Sequence, residues 1–436
     1  MDYCHSHFAI RATIVALAIG ICGGGMAADT GAPITLENAA REAVAWHPSV
    51  IEAAGALNAR GEEVAAARAG YLPTVSAGVG SGYDSRVTGT WRPRPQVGAS
   101  QMLYDFGKVS SDVAAARAGT RVGRAEMLLA VDTLIRDTAY ALIELQRATA
   151  LHAIAVDQAD SIGQIGELVG KRTTMGAATR SDALQAQARV EATTASLATI
   201  EAERRRWASN LAFLLGRAAP PATVSANVPD WLMRSCAQPA SDWDTVPAVM
   251  AADAQTERAS AYLRRSRADR YPTLALGGDA STDFASPFGQ RSIYNVGLRV
   301  TSTIFAGGLT RARVRGASYE LDAAEARAKR VRNETGQRLA EAQQQIDSLS
   351  RLGATLTARE DNMRETGRLY RIQYLEMGTR TLVDLLNAEQ ELQQVRYEAV
   401  NTAHDLRRLQ VDCLFLSGRM RDAFGLAGTA VRGVTL

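Results

Sequence analysis

The chain has few aromatic residues and almost no net charge, and both shortages restrict its class. Phe, Trp and Tyr make up 6% of the 436 residues while alanine is abundant, a composition that favours long helices over a compact mixed core. The formal net charge of +3 is too small to indicate a nucleic-acid partner. Hydrophobic residues account for 46% and charged residues for 22%, so the chain is expected to fold.

Chemically reactive residues are also scarce. The 5 histidines are scattered, and the sequence contains no metal-ligand spacing, phosphate-binding loop or nucleophile motif. Gly78, Gly80 and Gly82 lie inside a predicted strand rather than before a helix, which argues against a dinucleotide site. The sequence therefore predicts no enzyme activity, no cofactor and no metal site.

The only notable apolar run lies near the N-terminus. Arg11 precedes an apolar run at 14–21, and small residues follow up to Ala28, which is the order of a secretory signal peptide at 1–28. The run is far shorter than the roughly 20 residues of a spanning helix. A non-cleaved anchor is one alternative. Lipid attachment at Cys22 is another, although the bulky Ile21 before it fits a lipoprotein signal poorly.

Loss of this segment leaves two cysteines, Cys236 and Cys413. Two distant cysteines do not make a disulfide framework. No later stretch approaches 18 apolar residues. If the protein spans a membrane, we therefore expect it to do so with strands.

The rest of the chain contains an internal duplication. Five short segments recur in the same order at an offset of 199 to 202 residues, among them YLPT at 71–74 against RYPT at 270–273, and LGR at 215–217 against SGR at 417–419. Such a repeat predicts two similar structural units. We assign a first repeat at 29–217, a linker at 218–244, a second repeat at 245–419 and a tail at 420–436.

Each repeat is predicted to contain a helix, two strands, a long helix and a shorter helix. The first helices are expected at 35–69, capped by Thr35 and stopped by Pro73, and at 245–269. The long helices are expected at 109–171 and 311–376, each on the order of 100 Å. In the last helix, apolar residues recur every seven positions in two rows, beginning at Leu385 and Ala388, which indicates a coiled-coil seam.

Four segments between the helices are predicted strands, at 74–83, 95–104, 273–283 and 293–304. The last is the clearest, because its apolar side chains alternate with polar ones, as in a transmembrane β-strand. The side chains predicted to face lipid are Val296, Leu298, Val300 and Ile304. Aromatic residues near the strand ends fit an interfacial girdle. They are Tyr71, Tyr83, Trp91, Tyr104, Tyr271, Phe284, Tyr294 and Phe305.

Four strands cannot close a barrel, and open strand edges are not tolerated in lipid. A transmembrane barrel must therefore be shared between chains, and three copies would give 12 strands. Two soluble hairpins are the alternative that periodicity leaves open.

The sequence resembles the TolC family of outer-membrane factors over about 34–419. The resemblance is carried by the repeated helix–proline–strand unit, by LYDFGK at 103–108 and by MGTRTLVDLLNAEQ at 377–390. It implies a mainly α protomer with a membrane β-barrel portion, and a homotrimer with one 12-stranded barrel on a long α-helical periplasmic tunnel. It also implies a periplasmic adaptor protein, an inner-membrane ABC or RND transporter and contact with outer-membrane lipid.

The resemblance further implies a gate at the turns between the long and shorter helices. Asp384 matches the first of two aspartates that form acidic rings in the family, whereas Asn387 replaces the second. Arg380 and Thr379 resemble latch residues, and Ser181 and Asp182 resemble their partner segment. A latch tyrosine corresponds to Leu375, with Tyr374 adjacent. A surface ion pair between Arg380 and Asp384, four residues apart on one helix, is the plainer alternative.

The function expected from the sequence is a passive export duct, with no nucleic-acid partner. Type I protein secretion is favoured by the 103–108 and 377–390 segments, and small-molecule efflux of drugs or metals is the alternative. A periplasmic coiled-coil scaffold without a pore and a periplasmic enzyme are the other two classes. The alternating strand argues against the scaffold, and the missing polar site argues against the enzyme.

Overall fold

A computed structural model describes residues 33–82, 92–236, 243–282 and 293–436 of the protein. The predicted signal peptide lies outside the described residues, as do Tyr83, Trp91 and Phe284 of the predicted aromatic girdle.

The same series of elements occurs twice along the chain. The first half contains α1 (Leu36–Trp46), α2 (Pro48–Ala69), β1 (Thr74–Gly82), β2 (Arg92–Tyr104), α3 (Lys108–Thr174) and α4 (Arg180–Leu215), and a short α5 (Asp230–Met233) follows. The second half contains α6 (Pro247–Ala268), β3 (Thr273–Ser281), β4 (Ile293–Thr301), α7 (Leu309–Ile372) and α8 (Leu382–Leu416). The chain ends with α9 (Met420–Ala423), β5 (Ala430–Val431) and β6 (Val434–Thr435). The predicted duplication is thus confirmed.

The two long helices have the predicted length. α3 has 67 residues and α7 has 64, and at 1.5 Å per residue each is about 100 Å long. Every position of the two seven-residue rows of α8 is buried or half-buried, as the predicted seam requires. Beyond Ile372 the backbone forms a π-helix, Gln373–Met377, where an α-helix was predicted. Such segments are rare and are often found at functional sites.

The prediction of one helix at 35–69 is wrong in one respect, because the structure has two helices there. His47 has an extended backbone (φ −62°, ψ 135°) and separates α1 from α2. Pro48 causes the break, since proline has no N–H and disfavours a helical conformation in the residue before it. The Thr35 side chain accepts a hydrogen bond from the Asn38 amide (3.3 Å), so the predicted N-cap is correct.

The four long strands form one antiparallel sheet in the order β1-β2-β3-β4. β4 ends at Thr301, which pairs with Thr273, the first residue of β3. Pro272 precedes Thr273 and has no N–H to offer to a longer strand. The predicted strand to 304 is therefore too long, and Ile304 lies outside it with 98% of its side chain exposed.

The main hydrophobic core lies halfway along the helical body. It joins α1, α3, the end of α4, α5, the end of α8 and α9, and Ile135, Leu142, Leu232 and Phe424 are fully buried in it. A second core, here called the tip core, lies at the ends of α3 and α7 farthest from the sheet. The tip core is built from Ile162, Ile165, Val169, Ala186, Tyr374, Leu382, Leu385 and Leu386.

The linker packs on the helical body through polar and apolar contacts and one disulfide. The Trp231 indole donates a hydrogen bond to Glu37 (2.8 Å), and Leu232 is buried. Cys236 forms a disulfide with Cys413 of α8 across 177 residues of sequence, with a Cα–Cα distance of 5.5 Å. The sequence did not predict this single bridge, because its two cysteines are distant in the chain and only the fold brings them together.

Candidate functional site

The sheet has one apolar face and one polar face. The strand register places directly opposed residues on the same face, and the apolar residues of all four strands coincide. This face carries Val75, Ala77, Val97, Ala99, Leu274, Leu276, Ala280, Val296, Leu298 and Val300. The opposite face carries Ser76, Ser100, Asp279, Asn295 and Arg299, and the Asn295 amide donates to the Asp279 carboxylate (2.9 Å). The face assigned to β4 from its sequence therefore extends across the whole sheet.

The apolar face is uncovered within the protomer. Val296, Leu298 and Val300 are 77%, 68% and 67% exposed, far more than a soluble sheet would leave in water. Five of the predicted girdle residues are also exposed, and they are Tyr71, Tyr104, Tyr271, Tyr294 and Phe305. In the part of the chain that the structure describes, no helix is both long and apolar enough to cross a membrane.

The helices form one layer with two open edges. Far from the sheet, α4 packs on α3, α3 on α8 and α8 on α7, and next to the sheet the order is α2, α3, α6 and α7. The helix and strand at one edge are α7 and β4, and α4, α2 and β1 form the other. The burial of the helices agrees with this order. The inner helix α3 buries 29 of its 67 residues, whereas the edge helices α7 and α4 bury 7 of 64 and 5 of 36.

The two turns at the tip have the same local structure. Thr179 caps α4, accepting a hydrogen bond from the Asp182 amide (3.1 Å) while its own amide donates to the Asp182 carboxylate (3.0 Å). Thr381 and Asp384 repeat this capping box at the start of α8, at 3.2 and 3.1 Å. Both predicted gate aspartates therefore have a structural role, because each satisfies a free N–H at a helix start.

Asp384 keeps its negative charge over a wide pH range. The pKa of its carboxyl is lowered, first by the hydrogen bond from the Thr381 amide and then by that from the Thr381 hydroxyl. Asp384 is half-exposed and Asn387, one turn later, is exposed. The cap thus holds a fixed negative charge at the surface of the tip.

Arg380 does not form the intrahelical ion pair considered from the sequence. It precedes the cap of α8, so Arg380 and Asp384 are not on one helix. Its guanidinium lies over the Tyr370 ring, 4.4 Å from the centroid, and its Nε donates to Gln373 (3.2 Å). Thr379 and Ser181 are exposed at the same end of the molecule.

Arg172 makes a contact between the two halves that the sequence did not reveal. Its guanidinium donates to the Tyr374 carbonyl (3.2 Å) and lies 5.0 Å from the centroid of the Tyr374 ring. Tyr374 is 8% exposed in the tip core, whereas Leu375, at the position matched to a latch tyrosine, is 39% exposed. Burial raises the pKa of the Tyr374 hydroxyl.

Further polar contacts join the helical hairpins α3–α4 and α7–α8. Arg371 donates to Ser161 of α3 (2.7 Å), and Arg189 of α4 donates to Gln390 of α8 (2.7 Å). Within its own hairpin, Arg371 also donates to Glu389 (3.1 Å). No sequence signal predicts these pairs, since surface arginines are common on long helices. In the described ranges, no group of His, Cys, Asp and Glu is placed to hold a metal ion.

The chain belongs to the outer membrane efflux protein family, whose model matches residues 39–217 and 245–418. The fold is that of the trimeric TolC-family channel-tunnels. The protein is accordingly a channel component of the outer membrane that extends into the periplasm, and it is not an enzyme.

Individual relatives agree with this assignment. The chain is similar to Outer membrane efflux protein BepC of Brucella suis biovar 1, at 23% identity over 95% of this chain and 92% of BepC. It is similar to Protein CyaE of Bordetella pertussis, at 28% identity over 76% of this chain and 79% of CyaE. Its fold matches a crystal structure of CusC with a TM-score of 0.80 at 18% identity, over 88% of this chain and 91% of CusC.

Proposed function

We propose that three copies of this chain close into one tunnel for cargo delivered by an inner-membrane transporter and a periplasmic adaptor, and that this cargo is a protein secreted by the type I route. The observation that carries the proposal is the open layer, whose unpartnered edges run along the sheet and the helical body alike.

Assembly of three protomers into a symmetric ring explains why both edges of one protomer are open. Unpaired backbone groups at the edges of β1 and β4 cannot remain in lipid, and four strands are fewer than the 8 of the smallest single-chain bacterial barrels. If β4 of one protomer pairs with β1 of the next, α7 of the first protomer also meets α2 and α4 of the second. A head-to-tail interface of this kind closes into a ring.

In this proposal the apolar face of the sheet contacts lipid, with Val296, Leu298 and Val300 among the contacting residues. Ile304 lies beyond the strand, at the membrane edge. The polar face, with Asp279 and Arg299, lines the water-filled interior.

The tip is the proposed periplasmic gate. Three copies of Asp384 around an axis would repel one another and attract cations, as in acidic-ring channels, and Asn387 adds a neutral second ring. Arg380 and Thr379 on one turn, and Ser181 and Asp182 on the other, are the proposed latch segments. Arg172 and Tyr374 strengthen the join between the hairpins.

The type I assignment rests on the 103–108 and 377–390 segments, which resemble secretion members of the family. Small-molecule efflux remains the second candidate, because the matching family model and BepC carry the word efflux in their descriptions.

Two measurements test these points in order. The protein is extracted from outer membranes in mild detergent, and its mass and planar-bilayer conductance are measured on the same sample. A heat-sensitive trimer that conducts ions supports the tunnel, whereas a monomer without conductance contradicts it. Secreted proteins and drug or metal tolerance are then compared between cells with and without the gene. Loss of a secreted protein at unchanged tolerance supports secretion, and the reverse supports efflux.

A further inference from the structure

We propose that Arg270, Arg311 and Arg315 form a site for the phosphate of an anionic phospholipid, in the membrane leaflet that faces the helical body. The proposal rests on the proposed function, because it requires the sheet to lie in the membrane.

The three arginines surround one cavity next to the β3–β4 hairpin, where its strands meet the helical body. The cavity has a volume of about 480 Å³, and the hydroxyl-bearing residues Thr303 and Thr310 also line it. Ile304 contributes an apolar wall. Among the described residues, no carboxylate lines this cavity. Guanidinium and hydroxyl donors around an acid-free space suit a phosphate group, and the apolar wall suits the start of an acyl chain.

The positive charge of the cavity is not neutralised by its neighbours. Among the described residues, no carboxylate lies within salt-bridge distance of Arg270, Arg311 or Arg315, and all three are exposed. The nearby Asp269 is not available, because it pairs with Arg265, which also binds Asp112 (2.9 Å). Within the described part of the protomer, the charge of these three arginines is therefore not compensated by an ion pair.

The cavity lies at the level where the sheet ends. Arg270 precedes the first residue of β3 by three positions, and Thr303 follows the last residue of β4 by two. With the apolar face of the sheet in hydrocarbon, this is the depth of the phospholipid headgroups. Arginines just outside the hydrocarbon commonly contact lipid phosphates there.

A second cavity at the same level has the same chemistry. It lies between the end of β2 and the start of β3 and has a volume of about 370 Å³. Its described lining includes Arg264, Arg267, Ser110 and Ser111 and no carboxylate. The Phe106 and Tyr271 rings, stacked with centroids 5.2 Å apart, form its apolar wall. Two arginine-lined cavities side by side indicate a headgroup belt.

The test compares lipid retention by matched variants of the full-length trimer. Arg270→Gln, Arg311→Gln and Arg315→Gln are combined in one protein. Arg327→Gln, Arg338→Gln and Arg351→Gln, which remove the same charge from exposed positions farther along α7, form the control. Each protein is reconstituted into vesicles of phosphatidylethanolamine alone or with phosphatidylglycerol. Lipid retained after extraction in mild detergent is counted by mass spectrometry, and the melting temperature and conductance are recorded.

We expect the wild type and the control to retain phosphatidylglycerol and to melt at a higher temperature when it is present. The triple variant should lose both properties. Each arginine should contribute about fivefold in affinity, which corresponds to about 1 kcal/mol per cation near an anionic surface. Soluble glycerol 3-phosphate, offered in place of the lipid, should not raise the melting temperature, since it has no acyl chain for Ile304 to contact.

Three results would overturn the lipid site. Equal phosphatidylglycerol retention by the triple variant and the wild type contradicts it directly. Stabilisation by glycerol 3-phosphate as large as that by the lipid indicates a site for a free anion. A triple variant that forms a weaker trimer at unchanged lipid retention indicates that carboxylates of the adjoining protomer occupy the cavity. A wild type that forms no conducting trimer contradicts the proposed function first, so the two failures are distinguishable.

Discussion

The helices α3 and α7 occupy the same place in the two repeats but have opposite surroundings. α3 lies inside the layer, between α4 and α8, and its Val131, Ile135 and Leu142 are fully buried. α7 lies at the edge, and its surface is covered by pairs within the helix, such as Arg364 with Glu360 (2.5 Å). A duplicated sequence therefore fixes the length and direction of a helix, whereas its burial depends on its neighbours. In a closed ring, the second set of neighbours of α7 belongs to another protomer.

The largest expected effect comes from a cavity in the buried helix. Leu142→Ala removes a side chain with 0% exposure and should destabilise the protein by about 2–5 kcal/mol. The control Leu352→Ala, on α7 and 38% exposed, should leave urea unfolding of the subunit nearly unchanged. If α7 is an interface helix, Leu352→Ala should instead lower the temperature at which the trimer dissociates on a gel. Equal unfolding curves for the two variants would remove the distinction between α3 and α7.

The sheet offers a comparison between two neighbouring residues. Leu298→Arg places a charge on the apolar face and should cost about 2–4 kcal/mol at the centre of a membrane. Arg299→Leu changes the opposite face and should cost much less. The measurement is the fraction of heat-sensitive trimer in isolated outer membranes. A larger defect for Arg299→Leu would reverse the assigned faces.

The buried helix also carries a pH-dependent charge. Asp132 of α3 is fully buried, and its nearest charge partner is Arg421 (3.5 Å). Burial raises the pKa of the Asp132 carboxyl to about 7, against the lowering effect of Arg421. The folded state therefore holds this proton up to a higher pH than the unfolded chain does, and the stability from this group is lost as pH rises from about 4 to 7.

Asp132→Asn removes this dependence. Between pH 5 and 8 the wild type should lose roughly 2–3 kcal/mol more stability than the variant, as follows from 1.36 kcal/mol per pH unit within that window. Thermal unfolding of both proteins at the two pH values measures the difference. Parallel curves would show that Asp132 has an ordinary pKa.

The smallest effect is expected at the tip, where the two repeats share the same cap. Asp384→Asn and Asp182→Asn each weaken one capping box, so their structural costs should match. Only Asp384→Asn should weaken the block of the conductance by cations, because Asp384 is proposed to ring the pore whereas Asp182 is proposed to belong to a latch segment. An identical cation block in both variants and the wild type would leave Asp384 as a cap only.

The sequence predicted the features that depend on local periodicity and repetition. The long helices, predicted at 109–171 and 311–376, are found at Lys108–Thr174 and Leu309–Ile372. The seam of α8 and the alternation of β4 also follow from residues close together in the chain. The features that the sequence did not predict depend on residues far apart in the chain. The disulfide joins residues 177 apart, the end of β4 depends on Pro272, which lies just before β3, and the Arg380 guanidinium lies over the Tyr370 ring rather than pairing with Asp384.

At the candidate gate, too, the contacts between distant residues could not be predicted from the sequence. The repeat placed Ser181, Asp182 and Asp384 at equivalent turns, and both turns proved to be capped alike. Arg172 and Tyr374 have no counterpart pattern in the sequence, because their contact arises only when the two hairpins pack together. The repeat and the family resemblance therefore located the tip but not the bonds that join its halves.

The bridge between Cys236 and Cys413 sets an order of events for the making of this protein. Cys413 follows Cys236 by 177 residues, so the pair cannot meet until the chain up to Cys413 has left the cytoplasm. Cytoplasmic thiols are kept reduced, whereas the periplasm oxidises them. The crosslink therefore marks a late step of assembly, since an oxidised chain is one whose second repeat has crossed the inner membrane and whose α8 has docked on the linker.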